Sequence, residues 1–314
     1  GECGGCDWLY IRAPAQPLLK REIFLDCTRR IGRITLPDLE IHTSPPLEYR
    51  LRAQLKIDAS GRGPGFFRRG THQIIPVDRC PLLVPEINRI LDRCKDLLPN
   101  QPPSQIRIIA SDGECLASLP VLPGLTAPET AITVSGARFH VAGDSFFQGN
   151  RPLLEILGNW ARPHVGGKEC LDLFGGVGFF AVLLGNNFSR GAVVDSVRSQ
   201  IALAVRNLAE NGLDTFRAEA MPVHRYCRER LKPGRAPDCV ILDPPRTGLE
   251  RTIRDHLCAA RPPVILSVSC DPATHARDLG FFVNTAGYRI ERVALFDLYL
   301  QTHHMETAAL LRRS

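Results

Sequence analysis

From Ile132 onward, short apolar stretches of the chain alternate with stretches of helical periodicity. Runs of about four to eight apolar residues are typical of buried strands, and their alternation with helices predicts a doubly wound, Rossmann-like α/β sheet. The stretches that we interpret as strands are 169–174, 191–195, 215–219, 238–242, 263–268, 288–297 and 305–312. Ligands bind outside the carboxyl ends of the strands in such sheets. We therefore expect the functional residues at those ends.

The first part of the chain has a different pattern, in which short apolar stretches are interrupted by Pro and Gly. The stretches 49–57, 105–109 and 115–119 are typical of strands, and the stretches 16–28 and 84–97 are typical of helices. The Pro-rich stretch 119–130 is typical of a linker. With 314 residues, the chain is long enough for two domains that each bury a core. We predict a small β-rich domain over residues 1–131 and the α/β domain over residues 132–314.

The composition is that of a soluble globular protein, with 44% hydrophobic and 23% charged residues. No run of about eighteen apolar residues is present, so we expect no membrane span. The chain also begins without the basic and apolar pattern of a signal peptide. The 39 Lys and Arg residues exceed the 33 Asp and Glu residues, which gives a formal net charge of +6. This mild excess is compatible with an RNA partner but does not require one.

The cysteines number 11, and several lie inside apolar stretches, as Cys170, Cys239 and Cys258 do. The odd count and this placement favour reduced thiols in the cytoplasm over a disulfide framework. Cys3 and Cys6 are different, because the Cys-Gly-Gly-Cys spacing suits a metal site or a redox pair. A zinc half-site, a redox pair and an iron-sulfur site are all open at this point.

A glycine-rich turn follows the stretch 168–174 and leads into the apolar stretch 179–184. Glycines at a strand-to-helix turn let a ligand approach the backbone and use the free N–H groups at the start of the helix. The next apolar stretch ends at Asp195, where a carboxylate can accept hydrogen bonds from ribose hydroxyls. These features predict a nucleoside-containing cofactor. The spacing of Gly176 and Gly178 also fits a dinucleotide, so a NAD-dependent oxidoreductase is an alternative.

Three chemically distinctive segments border apolar stretches that we interpret as strands: Asp243-Pro244-Pro245-Arg246, Ser269-Cys270-Asp271 and His304-Met305-Glu306. They place a carboxylate, a thiol and a second carboxylate near one edge of the predicted sheet. A thiol beside carboxylates is suited to covalent catalysis with a proton-transfer partner. A hydride-transfer enzyme has no evident use for these groups. S-adenosylmethionine therefore fits better than NAD as the cofactor.

These segments resemble the motifs of the RNA (uracil-5-)-methyltransferase family, and specifically its iron-sulfur branch, which acts on large-subunit (23S) ribosomal RNA. The resemblance extends over most of the chain. It implies S-adenosylmethionine-dependent methylation of a uridine, with Cys270 as the nucleophile and Glu306 as the base that removes a proton. It also implies a cofactor site that contains Gln148, Phe174, Gly176, Gly178, Asp195 and Asp243.

The chain departs from the family pattern at a few positions near these motifs. Gly175 stands where the family usually has Cys, Asp195 where it has Glu, and Asp271 where it has Asn. The pair Leu300-Gln301 stands where the family has Pro-His. We expect these changes to affect the local geometry and to leave the mechanism intact.

The iron-sulfur branch binds a 4Fe-4S cluster through Cys-x5-Cys-Gly-Gly-Cys and one later cysteine. Cys3, Cys6 and Cys80 match the second, third and fourth of these ligands. The position of the first ligand falls before Gly1, so we expect either residues upstream of this sequence or an incomplete cluster. The resemblance thus implies a 4Fe-4S cofactor beside S-adenosylmethionine.

The partner implied by the resemblance is RNA, with 23S ribosomal RNA expected and transfer RNA as the alternative. Carbon 5 of uracil is inaccessible in a stacked helix, so the nucleotide must be flipped out or single-stranded. The segment 66–72 interleaves aromatic and basic residues, and we predict that it contacts RNA. A non-catalytic RNA-binding protein is a further alternative.

Overall fold

The computed structural model describes residues 2–57, 63–97, 103–113 and 116–313. Its helices are α1 (Gln16–Cys27), α2 (Pro85–Leu97), α3 (Arg151–Trp160), α4 (Phe179–Leu184), α5 (Arg198–Glu210), α6 (Val223–Arg230), α7 (Arg251–Ala260) and α8 (Pro272–Asn284). Its first strands are β1 (Leu39–His42), β2 (Arg52–Ile57), β3 (Pro64–Phe67), β4 (Ile74–Pro76), β5 (Gln105–Ile109), β6 (Leu116–Leu119), β7 (Thr126–Ala127), β8 (Glu129–Val134) and β9 (Ala137–Ala142). The remaining strands are β10 (Gly167–Leu173), β11 (Phe188–Asp195), β12 (Phe216–Ala220), β13 (Cys239–Leu242), β14 (Val264–Ser269), β15 (Tyr288–Phe296) and β16 (Glu306–Arg313).

The larger sheet has eight strands in the order β1-β15-β16-β14-β13-β10-β11-β12. Strand β16 runs antiparallel to both of its neighbours, whereas the other described pairs in this sheet are parallel. Parallel strands are joined by crossover helices, which cover both faces of a sheet. The predicted doubly wound α/β fold is confirmed.

Alternation along the central strands divides the core between the two faces of this sheet. Leu171 and Leu173 pack with helices α6, α7 and α8, whereas Cys170 packs with helices α3, α4 and α5. Successive side chains of a strand point to opposite faces, so a continuous apolar run supplies both cores at once. This is why the strands of this half appear in the sequence as apolar runs.

A second sheet of six strands has the order β4-β3-β2-β5-β6-β7, and strands β8 and β9 form a separate hairpin. Leu51, Ala53, Leu55 and Ile57 are buried on one side of the six-stranded sheet, in the same core cluster as residues of α2. Arg52, Gln54 and Lys56 alternate with them and are half-buried or exposed. The sheet therefore has one packed face and one polar face.

Residues 16–42 pack with the larger sheet, to which they contribute strand β1, and not with the small sheet. Strand β1 pairs with β15, Glu40 accepts hydrogen bonds from the Arg292 guanidinium at 2.7 and 2.9 Å, and α1 packs against α8. The predicted division between residues 1–131 and 132–314 does not apply to this segment. The strand has four residues, and only Leu39 is fully buried, so it carries too little periodicity to be recognised.

No helix among the described ranges combines the length and the apolar character that crossing a membrane requires.

Candidate active site

The carboxyl end of β14 and the amino end of β16 meet at one edge of the larger sheet. Because β16 is antiparallel to β14, Ser269 at the end of β14 pairs with Thr307. Cys270 follows Ser269, and Glu306 precedes Thr307. Directly opposed residues on neighbouring strands have their Cβ atoms about 4.5–5.5 Å apart. The register therefore brings the thiol and the carboxyl together from positions 36 residues apart (306 − 270).

Cys270 lies at a strand-to-helix turn that is fixed by the next residue. The Asp271 carboxylate caps helix α8 and accepts hydrogen bonds from the backbone N–H groups of Ala273 at 3.1 Å and Thr274 at 2.8 Å. Pro272 occupies the first turn, where its missing N–H is not needed. Asp and Asn are equally good caps, so Asp271 keeps the turn that the family's Asn would make.

The Cys270 thiol lies in an acidic, half-buried environment. Burial, together with the carboxyl groups of Glu306 and Asp243, raises its pKa to about 11, and the Arg246 guanidinium opposes them. The thiolate is the nucleophilic form of cysteine. In the free protein at neutral pH, Cys270 is therefore a protonated thiol that must lose its proton before it can attack.

Glu306 is buried, with 2% of its surface exposed. Burial raises its pKa well above the usual value, the Asp243 carboxyl adds to this, and the Arg246 guanidinium opposes it. Its Oε1 atom makes no hydrogen bond within the described part of the chain. A buried acceptor without a partner is costly, and such groups concentrate at functional sites. Glu306 is thus a buried carboxyl with a free acceptor beside Cys270.

Asp243 and Gln148 form a second polar pair in the same site. The Gln148 amide donates a hydrogen bond to Asp243 Oδ2 at 3.3 Å, while the Gln148 carbonyl oxygen has no partner among the described residues. Burial raises the pKa of Asp243 to about 7, against the effect of this hydrogen bond. A neighbouring cation would lower this pKa, so near neutral pH it would shift Asp243 to its ionised form.

The glycine-rich turn after β10 adopts the conformation that its glycines permit. Gly176 has a φ of +52° and Gly178 a φ of +85°, and Gly178 immediately precedes helix α4. The Gly176 N–H donates to Asp195 Oδ2 at 3.1 Å, and Val197 N–H donates to Oδ1 at 2.8 Å. Asp195 therefore fastens the turn to the end of β11, and its carboxylate retains lone pairs for further donors.

A cavity lies between this turn and the segment that precedes α3. Of the predicted cofactor residues, Gln148, Phe174, Gly176 and Asp243 line it. Gly178 and Asp195 support its wall through the turn. The remaining lining residues are Phe146, Phe147, Gly175, Val177, Phe179 and Phe180. The structure thus brings the predicted cofactor residues to one place, and among them Asp243 lies close enough to Cys270 and Glu306 to raise their pKa values.

Asp172 is a site residue that the sequence analysis missed. It is fully buried under the glycine turn, where its Oδ2 accepts a hydrogen bond from the Ala181 N–H at 3.1 Å and its Oδ1 has no partner among the described residues. Burial raises its pKa to about 8, and Asp243 and Asp195 add to the effect. An acidic residue inside an apolar strand is a recognisable signal, because buried Asp is rare.

His275 is a second residue that the analysis missed. Its Nδ1 lies 2.6 Å from the Thr307 hydroxyl, and its Nε2 lies 3.2 Å from the Ser267 hydroxyl. The Thr307 hydroxyl donates to the Ser269 carbonyl, so it accepts from Nδ1–H of the imidazole. Burial lowers the pKa of His275 to about 3, which keeps the ring neutral. The ring ties β14 to β16 next to Cys270 and Glu306.

The loop between β15 and β16 carries His304 towards the site. Arg246 donates to His304 Nε2 at 3.3 Å, and burial together with this guanidinium lowers the pKa of His304 to about 4. The loop is held by helix α1, from which Lys20 donates to Asp297 at 2.6 Å and to the Tyr299 carbonyl at 3.1 Å. His304 is thus a neutral ring that positions Arg246.

Cys3, Cys6 and Cys80 lie in one region at the edge of the small sheet. Cys6 and Cys80 pack against the same cluster, formed by Tyr49, Leu82 and Leu300. Burial raises the pKa of Cys6 to about 11, and Cys80 and Cys3 add to the effect. Within the described residues, no group of three or more His, Cys, Asp or Glu side chains is arranged to hold a metal ion. In this structure the three cysteines therefore do not form a ligand set.

Residues 129–314 match the family described as tRNA (Uracil-5-)-methyltransferase, and this range contains Cys270, Glu306 and the predicted cofactor residues. The chain belongs to this family. It is accordingly an enzyme of the RNA (uracil-5-)-methyltransferase class, which confirms the resemblance found in the sequence and excludes the oxidoreductase alternative. The iron-sulfur branch stays a prediction.

Relatives match almost the whole chain. An uncharacterized RNA methyltransferase of Aquifex aeolicus is 31% identical over 99% of this chain and 82% of its own length. The 23S rRNA (uracil(1939)-C(5))-methyltransferase RlmD of Halomonas elongata is 30% identical over 99% of this chain and 75% of its own length. Both matches extend beyond residues 129–314 into the small sheet and the segment with Cys3 and Cys6.

A solved structure shares the fold. The tRNA (uracil-54, C5)-methyltransferase of Pyrococcus abyssi, in complex with S-adenosyl-L-homocysteine, superposes with a TM-score of 0.80. It is 23% identical, and the match covers 99% of this chain and 86% of that chain. The arrangement of both sheets in this family member is therefore similar to the one described here.

Proposed function

We propose that this protein transfers a methyl group from S-adenosylmethionine to carbon 5 of a uridine in 23S ribosomal RNA, through a covalent bond between Cys270 and the uracil ring. The pairing of Ser269 with Thr307 is the observation that carries this proposal, because it sets the Cys270 thiol beside the buried Glu306 carboxyl. Two relatives at 30% identity are named as 23S rRNA (uracil(1939)-C(5))-methyltransferases. They favour ribosomal RNA over transfer RNA, the substrate named for the solved structure at 23% identity.

The residues beside the glycine turn have the chemistry that S-adenosylmethionine binding requires. Gly176 and Gly178 leave the backbone accessible, and Asp195 has lone pairs for ribose hydroxyls. The buried carboxyls of Asp243 and Asp172 hold their protons up to about neutral pH, and a sulfonium cation nearby would favour their ionised forms. The cofactor supplies the methyl group as an electrophile. Gln148, Phe174 and Asp243 would orient it towards the strand ends.

Cys270 starts the reaction because carbon 5 of uracil is a poor nucleophile. Loss of the thiol proton leaves a thiolate, which forms a bond to carbon 6 and pushes an electron pair towards carbon 5. Carbon 5 would then use this electron pair to take the methyl group, whose bond to the sulfonium sulfur would break and leave its own electron pair on that sulfur. The bond between sulfur and carbon 6 must break again, and this requires removal of the proton that remains on carbon 5.

Glu306 has the properties of the base that removes this proton. Its raised pKa makes its carboxylate a stronger base than an exposed glutamate, and its Oε1 atom has no partner that would compete for the proton. When Glu306 takes the proton, the electron pair of the broken C–H bond restores the double bond of the ring, and the Cys270 thiolate leaves. Arg246 would hold the carboxylate in its charged form for this step.

We also infer a 4Fe-4S cluster at Cys3, Cys6 and Cys80, as the resemblance to the iron-sulfur branch implies. The common packing of Cys6 and Cys80 around Tyr49 and Leu300 supports a shared site. The described residues do not form a closed ligand set, so we assign the cluster no part in the reaction.

Mapping of 5-methyluridine tests the proposal directly. Ribosomal and transfer RNA would be purified separately from cells that have the gene, lack it, or carry the Cys270→Ala variant, and analysed by mass spectrometry. We expect one 23S uridine to lose its methyl group without the gene and to remain unmethylated with the variant. A methyl group lost from transfer RNA and not from 23S RNA would support the tRNA alternative. Unchanged methylation of both RNAs would contradict the proposal.

A further inference from the structure

The polar face of the six-stranded sheet carries positive charge at regular spacing. On β2, Arg52, Gln54 and Lys56 alternate with buried residues and point away from the core. On the adjacent strand β5, Gln105 and Arg107 occupy the equivalent positions. None of these five described positions is acidic. These two strands therefore contribute no negative charge to the face, and the Asp144 carboxyl lies beside Arg52 at its end.

The side chains on this face form one connected group. Gln54 pairs with Arg107 and Lys56 with Gln105 in the sheet register. The Gln105 amide oxygen accepts hydrogen bonds from Gln54 at 2.5 Å and from Lys56 at 2.7 Å. The Lys56 ammonium also lies 5.1 Å from the centre of the Phe67 ring on β3. An ordered row of amides, cations and a ring thus crosses three strands.

The same face leads into the catalytic cleft. Arg52 and Arg107 line a cleft together with Phe146 and Tyr299, and Phe146 also lines the cofactor cavity. The Phe146 side chain is 50% exposed, and the Arg52 guanidinium lies 5.6 Å from its ring centre. Arg52 also donates to the Phe147 carbonyl at 3.0 Å. The row of cations is therefore continuous with the wall of the active site.

We propose that the RNA strand next to the target uridine lies single-stranded across this face, which we call the basic sheet face (Arg52, Gln54, Lys56, Phe67, Gln105 and Arg107). The inference rests on the proposed function, since it takes RNA as the substrate. Arg and Lys contact phosphates, aromatic rings stack on unpaired bases, and amides hydrogen-bond to base edges. A duplex would hide its bases from Phe67 and from the amides.

The basic sheet face revises the prediction for the segment 66–72. Phe67 and His72 lie together, with ring centres 5.4 Å apart. Phe66 packs against the core instead, and Arg68 pairs with Glu2 at 2.6 Å. The cations nearest to Phe67 in the proposed RNA path come from β2 and not from the segment itself.

The test is the salt dependence of RNA binding. Each phosphate contact adds about 0.7 to the slope of log affinity against log salt for a single strand. For the double variant Lys56→Ala/Arg107→Ala and a uridine-containing single-stranded oligonucleotide, we expect affinity to fall about tenfold and the slope to decrease by about 1.4. The matched control is Lys232→Ala/Arg235→Ala, an exposed lysine and arginine in the turn before β13, at the amino end of the sheet. It should leave the slope unchanged.

A second variant separates stacking from charge. Phe67→Leu keeps an apolar side chain but removes the ring, so we expect about tenfold weaker binding with an unchanged salt slope. An unchanged slope in the Lys56/Arg107 variant, or equal losses for single-stranded and duplex RNA, would overturn the inference. Methylation by the wild-type protein is measured separately. If it is absent while the slope changes as expected, the proposed function fails and the basic sheet face still binds RNA.

Discussion

The Thr307 hydroxyl donates a hydrogen bond of 3.2 Å to the Ser269 carbonyl, between two strands whose neighbouring residues are Glu306 and Cys270. The His275 imidazole belongs to the same network, because its Nδ1–H donates to the Thr307 hydroxyl. The proposed nucleophile and the proposed base are thus held by one buried pairing, and in the proposed mechanism Cys270 acts before the covalent intermediate forms and Glu306 acts after it. Their roles can therefore be separated by mutation.

Cys270→Ala and Glu306→Gln should both stop turnover, but at different points. Without the thiol the ring is not activated, so Cys270→Ala should form no adduct. Glu306→Gln keeps the shape of the side chain and removes the base, so methylated RNA should remain bonded to Cys270. We expect this complex to survive denaturing electrophoresis and to carry the methyl group by mass spectrometry. The double variant Cys270→Ala/Glu306→Gln should show no such complex, because it lacks the thiol. Normal turnover by Glu306→Gln would assign the base to another residue, and activity in Cys270→Ala would exclude the covalent mechanism.

The reactivity of Cys270 should depend strongly on pH. Because the pKa of Cys270 is about 11, its thiolate fraction rises about tenfold with each pH unit in the range below that value, so alkylation by iodoacetamide should rise about 100-fold from about pH 7 to pH 9. Removal of the Glu306 charge lowers the pKa of the thiol, so Glu306→Gln should be alkylated faster at the same pH. Peptide mass mapping separates Cys270 from the half-buried Cys258, which serves as the internal reference. An alkylation rate of Cys270 that stops rising below about pH 8 would contradict a pKa of about 11 for this thiol.

Asp172 should make the protein less stable as the pH rises. Its pKa is raised from 3.8 to about 8 in the folded state, so the unfolded chain releases this proton first, and the free energy of unfolding falls between about pH 4 and 8. Asp172→Asn removes this loss. We expect the stability of the variant relative to wild type to rise with pH by at most about 1.4 kcal/mol per unit, measured by urea unfolding from about pH 5 to 7.5. Asp214→Asn, at an exposed position, is the control. If the unfolding free energy of Asp172→Asn relative to wild type does not change with pH, the prediction is refuted.

Lys20 and Asp297 should be strongly coupled. Both side chains are fully buried, 2.6 Å apart, and they anchor the loop that leads to His304. Removal of one partner leaves an uncompensated buried charge, so Lys20→Met should cost about 3–5 kcal/mol of unfolding free energy. Lys20→Met/Asp297→Leu should recover much of this loss, because both charges are then gone. Equal unfolding midpoints for the single and double variants would argue against the coupling.

Metal analysis tests the cluster at Cys3, Cys6 and Cys80. With the first cysteine ligand restored ahead of Gly1, protein purified without oxygen should contain about four irons per chain and show the broad brown absorbance of a 4Fe-4S cluster. Cys6→Ser should lose both signals, whereas Cys27→Ser, at a half-buried cysteine on helix α1, should keep them. Stoichiometric zinc without iron would identify a structural zinc site instead.

Strand positions could be predicted from the sequence where the strands are central. The predicted stretch 169–174 corresponds to Gly167–Leu173, because a strand buried on both faces must be apolar throughout. Helix α6 was not predicted, since only Val223 and Cys227 of its residues are buried and the rest are polar. Strand β1 was missed for the same reason, as it lies at the sheet edge.

The site could be predicted only in part. Cys270 and Glu306 were placed at one edge of the sheet, but apolar periodicity does not show which way a strand runs, so their pairing through an antiparallel β16 required the structure. His275 acts through a buried contact with Thr307, 32 residues further along the chain, and its sequence context gives no sign of this contact. A sequence pattern identifies residues of reactive type, and it does not identify the residues that hold them.

Strand β1 pairs with β15 through contacts such as that between Glu40 and Arg292, which are 252 residues apart in the sequence. The small sheet lies between them along the chain. Closing such a long loop is entropically costly and slow, so the larger sheet has a high contact order and β1 can dock only after β15 exists. During synthesis, the catalytic half cannot be completed as an independent unit at the ribosome. Strand β1 is translated early and must wait until β15 has been synthesised before it can complete the edge of the sheet.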